Sequence, residues 1–76
     1  MSDTILLFTR DTIKLIVEQA EDSSKRSNKP GATEFDRGET SAYYSVLTLL
    51  VDQASAFDLT PEDVGLESAD PSRLLT

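Results

Sequence analysis

The chain has 76 residues, enough for one domain with a small core. It has neither cysteine nor histidine, so neither a disulfide nor a common zinc site can stabilise that core. Self-association is the remaining means of stabilisation. Its net charge of −7 lies wholly in the second half: residues 1–32 hold five acidic and five basic residues, and residues 33–76 hold nine acidic and two basic ones. This charge balance disfavours nucleic-acid binding, and no apolar run approaches the roughly 20 residues that a membrane span needs. We therefore expect a cytoplasmic protein that binds neither nucleic acid nor a membrane.

The first predicted element is a helix over about residues 3–24. Its core stripe is expected to consist of apolar residues at helical spacing: Leu6, Ile13, Ile16, Val17 and Ala20. Phe8 and Leu15, seven residues apart, form a second apolar stripe beside the first. One partner helix cannot cover both stripes, so we expect a second contact.

A break follows in residues 25–32, where Pro30 cannot continue a helix and Gly31 suits a turn. Because a short connection usually makes two helices antiparallel neighbours, the sequence predicts a helical hairpin. The three basic residues of this segment (Lys25, Arg26 and Lys29) are interpreted as a solvated loop rather than an anion site.

The second and longest predicted helix covers about residues 34–58, with Thr33 as its N-cap and Asp36 as the capping partner. Its core stripe is predicted to be Tyr43, Leu47, Leu50, Ala54 and Phe57. A regular polar stripe is assigned to solvent: Ser41, Ser45, Thr48, Asp52 and Ser55.

The non-polar arc of this helix spans about 220°, whereas packing on a single neighbour requires about 100°. The first helix alone therefore cannot bury it. We expect a dimer interface made of both apolar flanks and the small residues beside them: Phe8, Leu15, Gly38, Ala42 and Leu49. The prediction is an all-α, antiparallel two-helix hairpin with a short C-terminal helical turn, dimerising into a four-helix bundle.

The last predicted element is a short turn over about residues 61–65, opened by Thr60 and Pro61 and stopped by Gly65. We take residues 1–66 as one domain and residues 67–76 as a flexible tail. Leu74 and Leu75 are the expected anchor of this tail on a partner.

The run FDRGETSAYYSVLTLLVDQASAFDL, followed by LTPEDVGL, resembles a group of small uncharacterised bacterial proteins that share a helix of RG-x3-AYY type. The resemblance covers about half the chain and implies a bacterial source but no activity. It also implies importance for the motif residues Arg37, Gly38, Tyr43 and Tyr44. An exposed Arg37 and Tyr44 would form a contact patch for another protein.

No chemistry of catalysis is evident, because the chain has no histidine or cysteine, no glycine-rich phosphate loop and no nucleophile elbow. We therefore expect no enzymatic activity, no cofactor and no metal. Two functions remain open. One is a self-associating interaction module that also binds an unidentified protein; the other is an acidic inhibitor, antitoxin or nucleic-acid mimic that covers a basic surface.

Overall fold

The computed structural model describes residues 3–67 and residue 69. It contains helix α1 (Asp3–Ser27), helix α2 (Glu34–Ala56) and a 3₁₀ turn (Pro61–Val64). Side-chain bonds pair Arg26 with Glu39 and Gln19 with Tyr43, so residue numbers fall along one helix as they rise along the other. The predicted all-α antiparallel hairpin with a short C-terminal helical turn is confirmed. Helix α1 ends three residues later than predicted, and α2 ends two residues earlier.

The connection between the helices is a tight turn whose residues match its geometry. The Ala32 N–H donates to the Lys29 carbonyl at 3.1 Å, and Gly31 has a φ of +87°. Proline at the second position and a positive φ at the third define a type II turn. The sequence Lys29-Pro30-Gly31-Ala32 therefore reverses the chain with little strain.

The N-terminus of α2 is closed by a capping box, as predicted. The Thr33 side-chain oxygen accepts from the Asp36 N–H at 3.2 Å, and the Asp36 carboxylate accepts from the Thr33 N–H at 3.0 Å. The backbone hydrogen bond from Thr33 is the main cause that lowers the pKa of Asp36. This capping fixes where the helix starts.

The C-terminus of α2 is a Schellman motif with an aspartate where glycine is usual. The Leu59 N–H donates to the Ala54 carbonyl at 2.8 Å, the Asp58 N–H donates to the Ser55 carbonyl at 3.0 Å, and Asp58 has a φ of +58°. The motif ends the helix before Phe57, whose side chain is 74% exposed. The assignment of Phe57 to the core is therefore wrong, because the chain leaves the helical path at that residue.

The core lies between the two helices and the segment after the 3₁₀ turn. Its buried apolar side chains are Ile13, Val17, Ala20, Leu47, Ala54 and Leu66. Three of the predicted core residues are only partly buried, Ile16, Tyr43 and Leu50, and Leu6 is exposed at 41%. Leu6 fails because it lies near the start of α1, where little of α2 remains to cover it.

Gly65 brings the 3₁₀ turn against the backbone of α1. It has a φ of +81°, and a Cβ at this position would lie 2.6 Å from the Arg10 carbonyl oxygen. A second capping box, between Thr60 and Asp63, holds the start of the turn. Gly65 therefore ends the turn, as predicted, and also allows a close approach that the sequence did not reveal.

Candidate interaction surface

A buried polar cluster joins the helices at the loop end of the hairpin, which we define as the end that carries the type II turn. Ser23 and Thr40 are 0% and 4% exposed, and their hydroxyl oxygens lie 2.9 Å apart. Ser23 also donates to the Glu39 carboxylate at 2.8 Å. The Arg26 guanidinium donates to the same carboxylate oxygen at 2.7 Å. The cluster sets the register of the two helices through directional bonds.

Glu39 holds its negative charge in this cluster because the group is surrounded by donors. The hydrogen bond from Arg26 is the main cause that lowers the pKa of Glu39, and the hydroxyl of Ser23 lowers it further. Sequence reasoning did not identify Ser23 or Thr40. The signal was available, because Ser23 lies three residues after Ala20 and Thr40 lies seven residues before Leu47.

The segment after the 3₁₀ turn covers one side of the hairpin, which we call the covered side. Leu66 is 2% exposed, Glu67 forms an ion pair with Lys14 at 3.2 Å, and Ala69 packs against the core. Thr48 was assigned to solvent, and this is wrong: its hydroxyl oxygen is buried and has no hydrogen-bond partner in the described part of the chain. The other four residues of the polar stripe are exposed, as predicted: Ser41, Ser45, Asp52 and Ser55.

The opposite side carries most of the exposed large apolar side chains of the two helices, and we call it the open face. On α1, Phe8 and Leu15 lie about 140° and 160° around the axis from the buried Ile13. On α2, Val46 and Leu49 lie about 100° and 160° from the buried Leu47, in the same rotational sense. Because the helices are antiparallel, rotation in one sense leads to the same side of the hairpin. The two sequence stripes therefore turn to the same side of the hairpin, with Leu15 and Leu49 at its outer edges.

The side chains of the open face are largely exposed to solvent. The exposed fractions are 69% for Phe8, 56% for Leu15, 42% for Val46 and 60% for Leu49. The partly buried Ile16 and Leu50 connect this surface to the core, because they lie about 60° from the core direction in the same sense. The result is a continuous apolar strip from the core outwards.

Most of the predicted dimer-interface residues turn to the open side of the hairpin. Phe8, Leu15, Ala42 and Leu49 all turn towards the open face, while Gly38 lies at its outer edge. A Cβ added at Gly38 would meet no atom of another described part of the chain within 4 Å. Among the described residues Gly38 therefore makes no close approach to another element, and the space beside it is open.

Two residues of the predicted partner surface, Tyr44 and Arg37, lie on the covered side. Tyr44 is half-buried against the core on the covered side. Arg37 is exposed, turns to the same side, and donates to the Ala32 carbonyl at 3.3 Å. Leu74 and Leu75 lie outside the described residues.

A shallow groove of about 310 Å³ lies where α2 meets the 3₁₀ turn. It is lined by Val51, Ala54, Ser55, Asp58, Leu59, Pro61 and Leu66. Within residues 3–67 and 69, acidic side chains do not gather in groups of three that could hold a metal ion. Neither α1 nor α2 is both long enough and apolar enough to cross a membrane.

The charge of the hairpin is distributed unequally between its ends. The free end, which we define as residues 3–14 and 52–67, has seven acidic and two basic residues, a net charge of −5. The loop end, residues 22–40, has four acidic and four basic residues and is neutral. The acidic excess that the sequence placed in its second half therefore becomes an acidic end of the folded molecule.

The fold and this surface define a small helical hairpin with one side left apolar. Comparison with protein-family models, curated proteins and solved structures found no match for the chain.

Proposed function

We propose that the protein is a non-enzymatic interaction module that associates with a second copy of itself through the open face, forming a four-helix bundle. The observation that carries this proposal is the open face itself: large apolar side chains of both helices lie exposed on one side of the hairpin. Contiguous apolar surface of this kind is typical of an interaction site.

The size of the core supports the same proposal. Its six buried apolar residues include two alanines, which contribute little buried area. Burial of each large side chain of the open face stabilises an assembly by about 1.5–3 kcal/mol, and several together can offset an association cost of about 4–15 kcal/mol. A second copy supplies this burial at both hairpins at once, since a two-fold interface uses the same surface twice.

The proposal is tested by placing a charge on the open face. Leu49→Lys and Val46→Lys should each shift the mass measured by light scattering at micromolar concentration from dimer to monomer, because a buried lysine without a partner is costly. The matched control is Leu7→Lys. Leu7 is 59% exposed, close to the 60% of Leu49, but lies about 120° from Ile13 in the opposite rotational sense.

The control variant should remain dimeric. Equal effects of Leu49→Lys and Leu7→Lys would show that general surface polarity, and not the open face, governs association. A wild-type chain that is monomeric and cooperatively folded at these concentrations would overturn the proposal.

A second candidate function is an acidic antagonist that covers a basic surface of another protein. The net charge of −5 at the free end favours it. In this case Asp58→Asn combined with Glu62→Gln should weaken capture of the partner and reduce its dependence on salt, while the light-scattering mass of the protein alone stays unchanged. Capture that is insensitive to salt would argue against an acidic antagonist.

A further inference from the structure

We propose that the groove between α2 and the 3₁₀ turn binds an apolar side chain of a basic peptide segment of another protein. The groove lies on the covered side, because its residues Val51 and Ser55 are turned about 40° and 80° from the buried Leu47, away from the open face. The open face can therefore bind a second copy at the same time. The inference goes beyond the proposed self-association and does not depend on it.

The groove is mostly apolar and reaches the core. Two of its lining residues, Ala54 and Leu66, are core side chains with exposed fractions of 8% and 2%. Leu59, at 43% exposure, and Pro61 line it as well, so the apolar surface continues from the core to the solvent. Its volume of about 310 Å³ is at the lower limit for ligand pockets, about 300–1,000 Å³. The groove therefore suits one or two apolar side chains of a peptide.

The chain around the groove is acidic. The stretch that forms it, residues 51–66, contains four acidic residues and no basic one. Asp58 itself lines the groove, and Asp52 and Glu62 each directly follow a lining residue. All three are exposed, and we call them the groove acids. A basic side chain beside the groove is therefore attracted by them.

The two bases of the free end, Arg10 and Lys14 of α1, do not neutralise the groove acids. Lys14 forms its ion pair with Glu67 at 3.2 Å, and the charge of Arg10 also acts on Glu67. Within the described part of the chain the groove acids form no ion pair. Their charges are therefore available to a partner.

The C-terminus of α2 adds negative potential at the same place. The helix ends at Ala56, between the lining residues Ser55 and Asp58, and its last turn contains no basic residue. The last turn of α1, in contrast, contains Lys25 and Arg26. Because the C-terminal end of a helix has a partial negative charge, an end without bases favours a bound cation. A peptide with an apolar side chain between lysines or arginines fits both the lining and the potential.

The inference is tested with a fluorescein-labelled synthetic peptide that has leucines at positions i, i+3 and i+4 and lysines between them. Its binding to the full chain is measured by fluorescence anisotropy. A matched peptide with serine in place of each leucine should bind at least about tenfold more weakly, because it has no large apolar side chain to bury.

Blocking the groove should have the same effect. Ser55→Phe should weaken binding of the leucine peptide at least about tenfold, because it introduces a large ring from an exposed lining position. The matched control, Ser41→Phe, should leave the affinity unchanged. Ser41 is exposed on nearly the same face of α2 and lies 14 residues before Ser55, about 21 Å nearer the loop.

A second variant tests the charge and keeps the groove open. Asp58→Asn should weaken binding about 2- to 5-fold through the loss of one charge beside the groove. Asparagine also adopts the positive φ of this position, so the turn is retained. Glu18→Gln removes one exposed charge on α1 and should leave the affinity unchanged.

Weaker binding with Ser55→Phe and with the serine peptide, while both control variants bind as the wild type does, supports the groove as the site. Equal binding of the two peptides would overturn the inference and leave the acidic antagonist as a function of charge alone. Binding that Ser55→Phe does not change, or no binding at millimolar peptide, would overturn it as well.

The end of the chain is the competing occupant. A leucine peptide that binds the doubly substituted Leu74→Ser, Leu75→Ser chain, but not the wild type, would show that the chain fills its own groove and would contradict the inference. Self-association through the open face is measured separately by light scattering, so each of these results leaves that proposal as it stands.

Discussion

Two threonines of α2 show how strongly the consequence of one hydroxyl depends on its position. Thr40 is 4% exposed, lies 2.9 Å from the Ser23 hydroxyl, and also contacts the Asp36 carbonyl at 3.1 Å. The hydroxyl of Thr48 is buried and has no hydrogen-bond partner in the described part of the chain. Both side chains are β-branched, so valine replaces either with nearly the same shape.

We predict opposite effects for Thr40→Val and Thr48→Val. The first loses a buried hydrogen bond between the helices and should lower the free energy of unfolding by about 1 kcal/mol. The second removes a buried polar atom that is not satisfied and should raise the free energy by about 0.5–1 kcal/mol. Urea denaturation of both variants and the wild type, at one protein concentration, measures the two changes. Equal changes would contradict the account of these positions.

The pH dependence of stability also begins with single residues. The pKa of Glu39 is lowered mainly by the hydrogen bond from Arg26, and hydrogen bonds from Thr33 and Thr60 lower the pKa values of Asp36 and Asp63. A carboxyl whose folded pKa lies below its unfolded value contributes stability that is present above the unfolded pKa. That stability is lost as the pH falls through the folded pKa.

We therefore predict that the protein loses stability as the pH falls below about 4, the usual range of carboxyl pKa values. Glu39→Gln should reduce this loss, because the variant has no charge to neutralise at that position. Glu18→Gln, which changes an exposed carboxylate of α1, should leave the loss unchanged. Denaturation midpoints at pH 7 and pH 3 for the three proteins measure the effect. A similar loss in wild type and Glu39→Gln would contradict it.

At the scale of elements, the local signals in the sequence were sufficient for the helices and their ends. Thr33 with Asp36, Thr60 with Asp63, and Pro30 with Gly31 each act within four residues, and each forms the structure that its pattern predicts. The early end of α2 at the Schellman motif was not predictable in the same way. It requires a positive φ at Asp58, which aspartate adopts less readily than glycine.

The prediction of which residues face solvent was wrong where burial depends on a contact distant in sequence. The spacing of Thr48 is that of a solvent-facing residue, yet its hydroxyl is buried, and the segment around Leu66 and Ala69 packs against the core on that side of the hairpin. For the same reason the importance of Gly65 as a packing residue was hidden. Its contact, the backbone of Arg10, lies 55 residues earlier in the chain.

The glycines of the two turns provide a prediction at this scale. Gly31 and Gly65 have similar φ values of +87° and +81°, but only Gly65 is close to another backbone. Gly31→Ala should therefore cost about 1–2 kcal/mol for the left-handed conformation alone. Gly65→Ala should cost more, because its methyl group must also displace the turn from α1. Thermal denaturation of both variants compares the two costs, and a Gly65→Ala variant as stable as Gly31→Ala would contradict the close approach.

At the scale of the whole molecule, the C-terminal segment makes the two sides of the hairpin unequal. It covers one side with Leu66 and Ala69 and leaves the apolar residues of the open face exposed on the other. The apolar arc of α2 was predictable as too wide for a single neighbour, and the side on which it remains exposed became evident only from the fold. The predicted interface residues Phe8, Leu15, Ala42 and Leu49 are exposed and turn to this side.

The most direct test of the proposed self-association is the mass of the unmodified protein in solution, measured by light scattering across a dilution series. The account predicts twice the chain mass of 8.3 kDa at micromolar and higher concentrations, falling towards the single-chain value on dilution. A constant mass of 8.3 kDa, from a protein that still unfolds cooperatively, would contradict it.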